Sequence, residues 1–339
     1  MGAPKNVKTA IAVGTMAAAG ALLGAAAVTV QRRHCLQVLR THHGLARVHV
    51  VRGEDGEPVR VLSQGGVYQS ASYLGERRFE PVFSYYRGFD ALFASDPSPA
   101  APPRSILMIG GGGFSYPKHL LTTAAGIRLD VVELDAAVVR AARRWFFLDD
   151  LERRLADPAT ANGNALRIIV GDGRDLLERG AGEVLAPAER MGPAPSRPRF
   201  AAGGAGRALR PLGPDEVALP SYDAIINDAF AGSEPVAALA TVEAARAVRR
   251  RLAPEGLYLV NAVSADAGRD LGFLRDEVAT LREVFSRVQV IDTSDEAWGG
   301  EGNYLIIATD RAVSFPGAIA YDDAFPGRPL HDATAAGRP

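Results

Sequence analysis

The sequence predicts an α/β protein, with a doubly wound, mostly parallel sheet of seven strands behind a small N-terminal β-hairpin domain. Three observations carry the prediction. From residue 104 onward, short apolar runs alternate with amphipathic stretches, the pattern of strands whose two faces are covered by crossover helices. The last two apolar runs follow each other with no helix between them, which makes them an antiparallel edge pair. Ahead of residue 104, Val48 and Val50, then Val59 and Val61, alternate around Gly53-Glu54-Asp55-Gly56, a hairpin signal.

Taken in order, residues 47–73 read as short strands with a second turn at Gln64-Gly65-Gly66. Phe79, Val82, Phe83, Tyr86, Phe89, Leu92 and Phe93 recur at helical spacing, so residues 79–93 read as a helix with one apolar face. Residues 95–103 hold four prolines and read as a linker. Strands follow at 106–109, 129–134, 167–170, 222–227, 257–263, 288–291 and 304–308, with helices after the glycines through about 123, and at 136–147, 236–252 and 271–285. Residues 179–220 break the pattern with many Gly and Pro and read as a disordered surface insertion, with a lid as the alternative. The domains expected are 1–33 (anchor or signal segment), 45–96 (β-hairpin domain and helix), 104–312 (nucleoside-binding domain) and 313–339 (loose tail).

The composition limits function. Hydrophobic residues make up 47% of the 339 positions and charged residues 23%, ordinary globular values. A net charge of -1 excludes a generally basic nucleic-acid binder. The single cysteine, Cys35, excludes a disulfide framework and a cysteine-based zinc site. The six histidines make no metal-ligand spacing with carboxylates, so no metal is expected. His42-His43 reads as a solvated connector, and Arg249-Arg250-Arg251 as a solvated helix end that suits the dipole.

Residues 9–30 form 22 uncharged positions, long enough to span a bilayer, between Lys5/Lys8 and Arg32/Arg33. Three readings stay open: a membrane anchor, a cleaved signal with Ala25 and Ala27 at the cleavage site, or an Ala-rich helix outside the membrane. Basic residues at both ends leave orientation unsettled. The expected location is a membrane-anchored chain with a cytoplasmic catalytic domain, or a cytoplasmic chain if residues 9–30 do not insert.

The chemistry gathers at strand ends, where open α/β sheets bind ligands. Gly110 to Gly113 end the first strand and let a ligand approach the backbone. Glu133 ends the second, placed to accept hydrogen bonds from ribose hydroxyls. Asp172 and Gly173 end the third and Asp228 the fourth. A dinucleotide site fits poorly, because Phe114-Ser115-Tyr116-Pro117 offers no third glycine for helix packing.

The runs Ile106 to Gly113, Val131 to Asp135, Val170 to Arg174 and Tyr222 to Phe230 resemble the successive motifs of spermidine synthase-like proteins. These are polyamine aminopropyltransferases on a class I S-adenosylmethionine-dependent methyltransferase fold. Leu62 to Gln69 resembles their N-terminal hairpin, with Gly66 and Gln69 matching. The resemblance covers residues 47–310 apart from the insertion. It implies that Gly110 and Gly112 line the methionine part of the nucleoside, that Glu133 holds the ribose and that Asp172 and Gly173 contact the adenine. Gln69 would reach in from the hairpin. Asp228 would sit beside the reacting sulfonium and amine as the base, its structural alternative being a helix N-cap. A homodimer is usual in that family.

Two positions depart from the pattern. The acid that follows the family's glycines is Gly113 here, and the second acid of its catalytic loop is Ala231. Glu234 is a substitute acid from the same loop, and Tyr73, Tyr85, Tyr86 and Trp298 are candidate aromatic walls for a cation. Three functions follow. One is transfer of an aminopropyl group from decarboxylated S-adenosylmethionine to a small amine. The others are methyl transfer from S-adenosylmethionine on the same fold, and non-catalytic, membrane-tethered nucleoside binding.

Overall fold

The computed structural model describes residues 35–53, 55–98, 101–180, 182–185, 209–212, 221–231, 234–264, 270–294, 302–319 and 327–335. The expected hydrophobic helix over residues 9–30 lies outside them. No described helix is long and apolar enough to cross a membrane.

The chain first forms a four-stranded antiparallel meander: β1 (Cys35–Thr41), β2 (Gly44–Arg52), β3 (Pro58–Gln64) and β4 (Val67–Tyr73). Gly65 and Gly66 both take positive φ between β3 and β4, as a tight hairpin turn demands. β1 was not legible as a strand. Its turn into β2 is His42-His43, so this pair is a hairpin turn at the start of the sheet rather than a connector ahead of it. One face of the meander, with Leu39, Ala46, Val48 and Leu62, packs on Val138, Ala141 and Phe146 of the second domain. Lys118 is buried at the same junction, donating to Ser72 Oγ (2.5 Å) and the Phe146 carbonyl (2.7 Å).

The predicted helix over 79–93 is instead three short pieces, 3-10 turns at Gly75–Phe79 and Phe89–Phe93 and one α-turn at Tyr85–Gly88. Pro81 holds Glu80 in the extended region and stops the first piece. The apolar periodicity survives, with Phe83, Tyr86, Phe89 and Leu92 all buried.

The main sheet contains β5 (Ser105–Ile109), β6 (Arg128–Glu133), β7 (Ala165–Val170), β8 (Glu183–Leu185), β9 (Leu209–Pro211) and β10 (Tyr222–Asn227). A two-residue pair, β11 (Phe230–Ala231) and β12 (Glu234–Pro235), stands apart from it. The sheet is completed by β13 (Leu252–Val263), β14 (Arg287–Asp292) and β15 (Asn303–Thr309), in the order β14-β15-β13-β10-β5-β6-β7-β8-β9. The five central strands, β13 to β7, are parallel. β15 runs antiparallel between β13 and β14, giving the expected edge pair. Alternate residues feed two separate cores. Ile106 and Met108 point to one, Leu107 and Ile109 to the other.

Among the described residues the sheet has nine strands rather than seven. The two extra ones, β8 and β9, come from the stretch read as a disordered insertion, and they pair antiparallel beyond β7. Leu212 anchors them in the core. Residues 186–208 and 213–220 of that stretch lie outside the described residues. The segment read as a loose tail also contributes: Val313 and Phe315 are buried in the first core. Leu330 is buried too, its N–H donating to Thr280 Oγ1 at 2.8 Å.

Side-chain caps start the crossover helices. Asp135 accepts from Ala137 N at 2.7 Å and opens Ala136–Trp145; Asp172 accepts from Asp175 N at 2.9 Å and opens Gly173–Arg179. Thr241 opens Val242–Arg251, so the helix expected from 236 starts there after a separate 3-10 turn at Ala237–Leu239. At its end the arginines are engaged: Arg249 pairs with Asp310 at 2.7 Å and Arg251 donates to the Leu177 carbonyl.

Candidate functional site

The carboxyl ends of the parallel strands open into a cavity of about 610 Å³. The β1–β2 turn and the β3–β4 hairpin form its roof. Gln69, Gly110, Gly112, Glu133, Asp172, Gly173 and Asp228 all line it.

The loop after β5 fits there only with glycine at its first position. Gly110 has φ +94°, and a Cβ on it would stand 2.4 Å from the Asp228 carbonyl oxygen. Its N–H donates to the Val132 carbonyl at 2.9 Å. The next two amides, of Gly111 and Gly112, donate to Glu133 Oε2 at 3.0 and 2.9 Å, while Asp135 N donates to Oε1 at 3.0 Å. Glu133 is thereby held at the floor of the cavity by three backbone donors. Burial nevertheless pushes its carboxyl above the usual range. Asp172 is committed to its helix cap, and its other oxygen remains for a ligand. Gly173 packs where a Cβ would meet Ile109 Cγ2 at 2.5 Å.

Asp228 follows β10, beside the glycine loop. Its Oδ1 accepts from Asn261 Nδ2 at 2.8 Å, and its Oδ2 from the Tyr85 hydroxyl at 3.4 Å. It caps no helix. Burial pushes its carboxyl up to about 7, against the smaller opposing effect of those two hydrogen bonds. Tyr85 lies against Tyr86, ring centroids 4.2 Å apart, and Phe83 lies beside both, giving the cavity an aromatic wall. The Tyr85 hydroxyl itself is held protonated by burial and by the Asp228 charge.

Asn261 was not singled out from the sequence. Its signal was the one that marked the others, a polar residue near the carboxyl end of an apolar strand. His42, His43 and Asp135 also line the cavity, and the His42 N–H donates to Asp135 Oδ2 at 2.7 Å. That contact joins the roof to the floor across 93 positions, which no local pattern shows. Other candidates fall elsewhere. Glu234 is exposed in β12 and does not line the cavity, and Tyr73 carries the Arg77 guanidinium over its ring at 3.7 Å. Trp298 lies outside the described residues. Among the described residues no group of His, Cys, Asp or Glu is placed to hold a metal ion.

The fold and the position of this cavity define an open α/β protein with a ligand site at the sheet's carboxyl edge. Comparison with known structures refines that class: the chain has a spermidine synthase-like, class I methyltransferase fold. It is similar to a probable spermidine synthase from Corynebacterium glutamicum, with 24% identity and a TM-score of 0.53 over 81% of this chain and 80% of that one. A spermidine synthase in complex with the transition-state analogue AdoDATO matches at 16% identity and TM-score 0.52, over 82% of this chain and 74% of that one. The spermidine synthase from Thermotoga maritima matches at 15% identity and TM-score 0.52, over 89% and 83%. No family model and no curated protein matches the chain.

Proposed function

We propose that the protein is a transferase that moves an aminopropyl group from decarboxylated S-adenosylmethionine to an amine. The observation that carries this reading is Asp228. It is a carboxyl tuned to about 7, standing on the wall of a nucleoside-sized cavity beside the loop that Glu133 organises. The amine nitrogen attacks the carbon bonded to the sulfonium. The carbon–sulfur bond breaks, its electron pair neutralises the sulfur, and methylthioadenosine leaves. Asp228 takes the proton that the amine must lose, and a base tuned near the working pH suits that task. Asn261 and Tyr85 hold the carboxylate in place. Glu133 offers its remaining lone pairs to the ribose hydroxyls, Gly110 and Gly112 flank the methionine-derived chain, and Asp172 with Gly173 meets the adenine. Gln69 closes the site from the hairpin. The likeness in fold to spermidine synthases, one of them holding a transition-state analogue, supports the reading. With it go a cytoplasmic catalytic domain, attachment through residues 9–30 and a homodimer.

A second reading, methyl transfer from S-adenosylmethionine, is favoured by one feature. A Cβ at Gly113 would stand 2.6 Å from Ser70 Oγ and 3.1 Å from the Phe146 ring, so this site has no room for an acid there. Incubation with each nucleoside and a panel of amines separates the readings. Methylthioadenosine as product supports aminopropyl transfer, and S-adenosylhomocysteine supports methyl transfer. Ligand-dependent thermal stabilisation without either product leaves nucleoside binding without catalysis.

A further inference from the structure

We infer that the β1–β2 edge of the N-terminal sheet, on its outer face, is a contact surface for an anionic lipid bilayer. The second domain covers the inner face, and it also buries Val59, Val61 and Ala71 on the outer one, but at the β1–β2 edge Leu36, Val38 and Leu45 stand 40%, 54% and 61% exposed. The other large hydrophobics exposed among the described residues are only Tyr68, which lines the cavity, and Leu134 and Ile319, elsewhere in the chain. The apolar side chains are interleaved with cations: Val38 pairs across the strands with Arg47, and Leu45 with Arg40, both arginines exposed. That mixture suits the interfacial zone of a membrane, where apolar groups enter the acyl boundary and arginines meet headgroup phosphates.

Charge points to the same occupant. Residues 1–53 carry Lys5, Lys8, Arg32, Arg33, Arg40, Arg47 and Arg52 and not one Asp or Glu, in a chain with 39 acids and a net charge of -1. A second copy is a poorer fit. A two-fold contact would set this patch against itself, gathering Arg40 and Arg47 of both copies in one interface with no acid from the patch among them. The segment preceding Cys35 agrees, since the uncharged residues 9–30 and the Arg32-Arg33 pair lead directly into the strand that carries Leu36 and Val38.

The test uses the full chain, sedimented with vesicles of phosphatidylcholine alone or of phosphatidylcholine mixed with phosphatidylglycerol, over a range of salt. The wild type is expected on the mixed vesicles, with binding that weakens as salt rises. Arg40→Ala with Arg47→Ala should lower the partition coefficient roughly 25-fold, about fivefold for each cation. Val38→Glu with Leu45→Glu should lower it by at least about tenfold. All these positions are exposed, so each variant should keep the wild-type melting temperature, which excludes unfolding as the cause. Binding that is absent, or equal in wild type and variants, overturns the inference; in the latter case residues 9–30 alone hold the membrane. A dimer seen by light scattering and broken by the same substitutions also overturns it and assigns the face to a second copy.

Discussion

Asp228, half-buried on the cavity wall, and Lys118, buried at the domain junction, shift stability in opposite directions with pH. The Asp228 carboxyl rises from 3.8 to about 7, so between those values the folded chain holds a proton that the unfolded chain has lost. Stability conferred by the neutral form is complete below pH 3.8 and is lost as pH rises to about 7. Asp228→Asn removes this loss. The variant should be more stable than wild type at pH 8, by on the order of 2 kcal/mol in urea unfolding, and equal to it near pH 3. In turnover the same substitution should cost about 10²–10⁴-fold while nucleoside-dependent thermal stabilisation persists. Unchanged turnover would show that Asp228 is not the base. Lys118 behaves inversely, because burial lowers its ammonium from 10.5 to about 7. In that window the unfolded chain binds the extra proton, so stability climbs as pH rises from about 7 toward 10.5. Lys118→Met should flatten the climb, as measured by thermal melts across that range.

At the scale of elements, the crossover helices and their sites share residues. Asp172 caps Gly173–Arg179 through Asp175 N and also lines the cavity. Asp172→Ala should lower stability by about 1 kcal/mol and also weaken nucleoside binding. Asp172→Asn retains a capping oxygen, so it should restore most of the stability while testing the charge alone. Calorimetric melting with and without nucleoside separates the two effects. Strands β5, β6, β7 and β10 were legible because each depends on near neighbours: an apolar run closed by a glycine or an acid. β1 was not, since a seven-residue strand ahead of an obvious hairpin owes its pairing to β2 and its burial to Val138 and Ala141 in another domain. The helix read over 79–93 had the right apolar spacing, but Pro81 holds Glu80 extended and separates the Gly75–Phe79 turn from the helical turns that begin at Tyr85.

For the whole molecule, the regions set aside as insertion and tail belong in part to the folded body. Phe315 is buried with Val313 in the larger core. Phe315→Ala should therefore lower unfolding free energy by about 3–5 kcal/mol in urea titration, whereas a solvated tail residue would leave it unchanged. The sequence by itself determined the parallel sheet, the antiparallel edge pair and the six strand-end residues that come to line one cavity, while Gln69 was implied by the family resemblance alone. Those features follow from periodicity and turn chemistry within a few residues, and a doubly wound sheet collects all its strand ends on one edge. Tertiary structure alone decided what surrounds Asp228. Tyr85 reaches it from 143 positions away and Asn261 from 33, and burial among these partners moves its carboxyl toward neutral pH. It also decided the roof made by β1 and the extension by β8 and β9, because pairing and desolvation between distant segments leave no periodic trace in the chain.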